Sequence, residues 1–177
     1  MSDEAAGNGR GHADGASPHV LPAADLVDLA VRLRALEPVL RLADAPAVAQ
    51  TFGWRTLASK PRWVLLDAGF GPGSGKFHAE DGTVVRIEVR LTDFAADDPE
   101  GHAWVAAAFD DTVEVLTGAI GTPDPSTPGV SEQARWIGPE TTLVLRRSPV
   151  SVLLSWVTNT RLAADDRNIE LEDQGSL

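Results

Sequence analysis

The sequence predicts an α+β domain: one antiparallel sheet of about five strands with helices packed on one face, in the order ααββαβββ. Three observations carry this. Two segments repeat apolar residues at helical spacing, one segment alternates apolar and charged residues with period two, and the C-terminal third holds three β-rich runs separated by Gly-Pro and Ser-Pro turns. Helices and strands come in runs rather than in strict alternation, which favours separate layers. With 177 residues and 43% apolar content the chain suffices for one core.

Residues 1–20 are rich in Gly, Ala, Ser and Asp without periodicity and predict a disordered leader ahead of a single domain over 21–162. From Ala23 to Leu36 the spacing of Leu26, Leu29, Ala30, Leu33 and Leu36 predicts an amphipathic helix, with Pro22 suited to its start and Pro38 ending it. Asp44 as N-cap and Pro46 in the first turn open a second helix, which Phe52 and Gly53 close. Trp63–Asp67 reads as a largely buried strand. Gly69–Gly75 reads as a flexible connection, and Lys76–Ala79 as irregular. Over Thr83–Thr92, Val85, Ile87, Val89 and Leu91 alternate with Arg86, Glu88, Arg90 and Thr92, the pattern of a strand with one wet face.

A long helix is predicted over Pro99–Ile120, with Asp98 as N-cap and Gly121 as stop. Val105, Ala108, Phe109, Thr112, Val113, Leu116 and Ile120 form its apolar stripe, and Asp110, Asp111 and Glu114 lie opposite. After a proline-rich loop over 121–129 come strands at Ala134–Ile137, Thr141–Arg147 and Val150–Thr158. The last, apolar on both faces, is expected at the centre of the sheet. Residues 163–177 read as an acidic, weakly ordered tail.

The net charge of −11 is concentrated: residues 91–134 hold nine carboxylates and neither Lys nor Arg. Such a surface repels nucleic acid and anionic membranes, so neither is expected as a partner. No apolar run reaches the roughly 18–20 residues of a bilayer span, and the N-terminus has no signal-peptide pattern, so a cytoplasmic location is expected. Without cysteine there is no thiolate metal site or disulfide.

Recognised catalytic motifs fail on spacing. The glycines near Gly71 do not match a phosphate loop, because position 70 is Phe and Lys76 is followed by Phe77; nor do they match a dinucleotide fingerprint. His12, His19, His78 and His102 are scattered, and the best local metal pair, His102 with Glu100, is incomplete. No metal or cofactor is expected. Each of Trp54, Trp63, Trp104, Trp136 and Trp156 is assigned first to the core, but Trp104 also sits at the border between apolar stripe and acidic face, where an interface anchor would sit.

Phe52-Gly53-Trp54 through Arg62–Asp67, the strand Arg86–Arg90, Thr92-Asp93 with Asp97-Asp98, and the ending Val157-Thr158-Asn159 to Asp165-Asp166 together resemble the uncharacterised actinobacterial domain-of-unknown-function 6301 family. The resemblance spans about residues 22–172, implies a compact cytoplasmic domain, and brings no catalytic residues with it.

Asp97, Asp98 and Glu100 have a structural reason at a helix start, where the dipole favours anions; Asp110, Asp111 and Glu114 have none. The sequence therefore points to a non-enzymatic domain in which these three acids and Trp104 engage a basic protein, most concretely as an immunity protein against a cationic toxin. A secretion-chaperone or adaptor that binds peptides by strand addition and an enzyme on a small cationic substrate are the alternatives, and an acidic surface serving solubility alone is the simplest explanation. The sequence leaves the oligomeric state open.

Overall fold

A computed structural model describes residues 18–124 and 133–175. Four helices and seven strands follow in the order α1 (Ala23–Arg34), a 3-10 turn (Leu42–Asp44), α2 (Ala45–Thr51), β1 (Arg55–Lys60), β2 (Trp63–Asp67), β3 (Pro72–Glu80), β4 (Thr83–Arg90), α3 (Pro99–Ile120), β5 (Gln133–Ile137), β6 (Thr141–Arg147), β7 (Val152–Thr158) and α4 (Asn159–Gly175). The sheet is wholly antiparallel, in the order β1-β2-β3-β4-β7-β6-β5, so two meanders meet where β4 pairs with β7.

The α+β class stands, but the sheet has seven strands rather than about five, and helices lie on both of its faces rather than one. The two unforeseen strands are β1 and β3. β1 is an edge strand with almost every residue exposed, so it carries no hydrophobic alternation to read. β3 absorbs both the end of the glycine connection and the residues read as irregular. It turns Gly75, Phe77 and Ala79 inward, and Gly75 packs so closely that a Cβ there would lie 3.1 Å from the Ala68 side chain.

The glycine connection is held rather than flexible. Asp67 Oδ1 accepts from the amides of Gly69 and Gly71 at 2.9 and 3.2 Å, and Ser74 Oγ accepts from Ala68 N at 2.8 Å. Gly69, Gly71 and Gly73 take φ of 115°, 101° and 84°, open without strain only to glycine. The Arg90 guanidinium, buried at the end of β4, donates to Phe70 O (2.8 Å) and Thr92 O (2.7 Å) and lies 3.9 Å from the Phe94 ring centroid. Burial pulls its pKa down from the ordinary arginine value, with Asp93 and Asp67 opposing.

In β4 a bulge changes the expected alternation. Ala79 pairs with Val84 and His78 with Arg86, leaving Val85 as the extra residue, so Val84 takes the buried place expected of Val85. Ile87, Val89 and Leu91 point inward as expected. At the start of α2 the Asp44 side chain makes no cap; a 3-10 turn precedes the helix instead. Asp98 does cap α3, its Oδ1 accepting from Gly101 N at 2.7 Å.

One face of the sheet is dry. α1 contributes Leu26, Leu29, Ala30 and Leu33, and α3 contributes Val105, Ala108, Phe109 and Leu116, against Ile87, Leu143, Leu145, Leu154 and Trp156 of the central strands. Burying each of the larger side chains stabilises the fold by about 1.5–3 kcal/mol. β7, between β4 and β6, is the central strand the sequence suggested.

On the opposite face lies α4, formed in part by residues read as an acidic tail. It has no clear apolar stripe, and charges fasten it. Arg135 makes two bonds to Asp166 (2.8 and 2.9 Å), Arg86 reaches Asp165 at 2.5 Å, and Arg161 bridges Asp165 (3.1 Å) and Glu80. Beside them Arg146 pairs with Glu88 at 2.8 Å. Of the predicted leader, residues 1–17 lie outside the described residues. His19 and Val20 are tied to the sheet margin, where Asp93 accepts from His19 N (2.8 Å) and Val20 bridges Thr92.

Candidate interface on the α1–α3 face

α3 positions all four residues singled out in the sequence. Val105, Phe109, Thr112 and Leu116 fix its rotation by their burial, so Asp110, Asp111 and Glu114 project into solvent. None of the three has an ion-pair partner among the described residues. Of the other acids of the base-free stretch, Asp93 pairs with His19, Asp97 with His102 at 2.6 Å, and Asp98 is the helix cap, while Glu100 stands in the first turn of α3 and Asp124 is tied by its backbone amide to Arg135 O at 2.7 Å. Glu132 lies outside the described residues. His102 thus takes Asp97 rather than Glu100, and no group of three metal-ligating side chains converges among the described residues.

Asp93 illustrates how a carboxylate is stabilised without burial. The His19 amide, reinforced by the His19 ring, holds its pKa below the ordinary carboxylate value.

Trp104 is half-buried and packs against the core, yet one side lines a groove between the helices. Its near wall is Trp104, Ala107, Asp111 and Val115 of α3; its far wall is Val20, Leu21, Ala23 and Leu26. The groove has a volume of about 260 Å³ and is mainly apolar. Asp111 is the one acid of the three on its rim; Asp110 and Glu114 extend the negative charge outward along α3. The alanines at 106–108 keep the α3 surface low beside the indole, so Trp104 forms a step in the groove.

Sequence periodicity identified the α3 wall. The other wall was not legible, because it comes from residues at the other end of the described chain, on and just before α1. Of the remaining tryptophans, Trp156 and Trp136 are buried, and Trp54 stacks on Phe52 with ring centroids 4.4 Å apart. Trp63 departs from its core assignment. It lies half-buried on the opposite sheet face, with the Lys76 ammonium 5.2 Å from its ring centroid.

A family model described as a family of unknown function, DUF6301, matches residues 24–158, most of the chain. The chain belongs to this family. The DUF6301 match begins in α1 and ends at the last residue of β7, so it contains the whole sheet and all of α3, while α4 follows it. No curated protein and no solved structure gives a significant match to this DUF6301 member. Among its described residues no helix is long and apolar enough to cross a membrane.

Proposed function

We propose that this DUF6301 protein is a non-enzymatic cytoplasmic binding domain whose α1–α3 face takes a basic amphipathic segment of another protein, as an immunity protein would take a cationic toxin domain. One observation carries the proposal: an apolar groove stepped by Trp104 runs beside three carboxylates that no cation of the described chain neutralises. Apolar side chains of the partner enter the groove, and its Lys or Arg residues meet Asp111 and then Asp110 and Glu114. Charge of this kind accelerates encounter and rejects acidic competitors, while the half-buried Trp104 indole, covered on binding, sets the lifetime of the complex. The same acids stand on an exposed helix rather than inside an enclosing recess, which favours recognition of a surface over turnover of a small cationic substrate.

The test is a titration against cationic C-terminal domains encoded by neighbouring reading frames. The triple charge reversal Asp110→Lys, Asp111→Lys, Glu114→Lys should slow association and flatten its salt dependence, and Trp104→Ala should speed dissociation. Unchanged affinity and salt slope in both variants would end the proposal.

A second reading, a secretion chaperone or adaptor, draws on a different observation. β1 is an open edge strand, whereas the β5 edge is bridged by Asp124. Arg55 and Lys60 at the ends of β1 would meet as like charges in an antiparallel pairing of two copies, which disfavours self-association there and leaves the edge available to a foreign extended segment. Purification with a co-eluting peptide that protects β1 amides from exchange would favour this reading over the first.

A further inference from the structure

On the far side of the sheet, remote from the α1–α3 groove, a polar recess of about 650 Å³ opens beside α4, within the usual range for small-molecule sites. Its walls come from four separate places: Arg62 and Trp63 at the β1–β2 turn, His78 on β3, Arg86 on β4 and Arg161 on α4. The strand register brings the first of these together, because Trp63 pairs with His78 and His78 with Arg86, forming one row across three strands. Two carboxylates, Glu80 and Asp81, complete the lining.

The charges in this recess are not equivalent. Arg161 is held by Glu80 and Asp165, and Arg86 by the same Asp165, so these two guanidiniums form a fixed back wall whose charge is offset by its carboxylate partners. The Arg62 guanidinium and the His78 ring, by contrast, make no hydrogen bond among the described residues and face the same space. Burial, then Lys76, Arg86 and Arg161, lower the His78 pKa against the opposing pull of Glu88, so the ring is neutral near pH 7 and can donate one hydrogen bond. In a chain of net charge −11, the donors here that no carboxylate holds are Arg62 and His78, set beside the paired guanidiniums of Arg86 and Arg161.

We propose that this recess binds a small oxyanion-bearing molecule, a phosphate ester or a carboxylate, whose charged group is held by Arg62 and His78 in front of Arg86 and Arg161. Glu80 and Asp81 then accept from hydroxyl groups on the body of the ligand, and the face of Trp63 not covered by Lys76 offers a flat apolar wall. A bare anion gains nothing from the two carboxylates, so hydroxylated phosphate esters bind more tightly than phosphate itself. The site is independent of the protein-docking surface and stands or falls separately from it.

The experiment uses the full chain at near-physiological salt, following the His78 ring by NMR during titration with inorganic phosphate, ribose 5-phosphate and citrate. A saturable His78 shift is expected with at least one of the three, and Arg62→Ala should weaken that binding about tenfold, the loss of one charge-assisted hydrogen bond. Arg62 is exposed and makes no side-chain bond among the described residues, so this variant should keep its structure; His78→Gln, read by calorimetry, provides a second check. Linear, unsaturable shifts, or affinities unchanged in both variants, would overturn the proposal. Equal affinity for phosphate and ribose 5-phosphate would overturn the role given to Glu80 and Asp81, and saturation by citrate alone would identify the oxyanion as a carboxylate.

Discussion

On one face of the sheet α1 and α3 bury leucines, a valine and a phenylalanine; on the other, α4 is attached by Arg135–Asp166, Arg86–Asp165 and Arg161–Glu80. The first cover is non-directional and belongs to the cooperative core. The second is directional, partly solvated and sensitive to protonation and salt, because ion pairs of intermediate exposure trade Coulomb energy against hydration. A seven-stranded sheet can therefore carry one cover that opens only when the whole domain unfolds and another that opens alone.

The comparison breaks most visibly if core changes on the α3 side fail to dominate stability. Leu116→Ala removes a fully buried side chain and should cost about 3 kcal/mol in a denaturant titration. Gly101→Ala should cost a comparable amount, since a Cβ there would stand 1.8 Å from the Ala96 carbonyl oxygen and force the first turn of α3 away from its cap. On the α4 side, Arg135→Ala should cost only about 1 kcal/mol, with amide exchange accelerated in α4 and little changed in β4 or β7. A loss of protection spreading through the sheet would show that the two covers are one unit.

The effect of pH sharpens the same contrast. The side-chain bonds from Arg135 hold Asp166 below its ordinary value of 3.8. A carboxyl lowered on folding stabilises the folded form above its unfolded pKa. That contribution is lost as pH falls through the lower folded value. Acidification below about 4 should thus release α4 before the core melts, seen as lost helix signal at 222 nm while the near-ultraviolet signal of buried Trp156 persists. The smallest effect belongs to the exposed face of α3. Glu114 lies three and four residues from Asp111 and Asp110, so Glu114→Gln should raise stability by a few tenths of a kcal/mol in thermal melts.

What could be read from the sequence follows the same division. α1, α3, β4 and the β5–β7 meander were legible because each buries one side against the dry core and so repeats apolar residues at its own period. β1 was not, since an edge strand exposed along its length repeats nothing, and β3 hid its inward face behind Gly75. α4 escaped because its anchors are Asp165 and Asp166, whose partners Arg86 and Arg135 lie tens of residues away. Val85 was assigned inward because a bulge leaves no trace in the alternation. Of the candidate interface, Trp104 and Asp111 could be found on one helix. The recess around His78 could not, because its walls come from four places in the chain.

The seam between β4 and β7 also governs the order in which the chain assembles. Within each meander, successive strands are joined by turns of a few residues and can pair as soon as they meet. Pairing Arg86 with Val157 instead closes a loop that contains all of α3 and two other strands. Closing that loop costs more entropy than closing any turn, so the two meanders should form early and their junction late, which pulse-labelled amide exchange would show as β4–β7 amides protected after those within each meander.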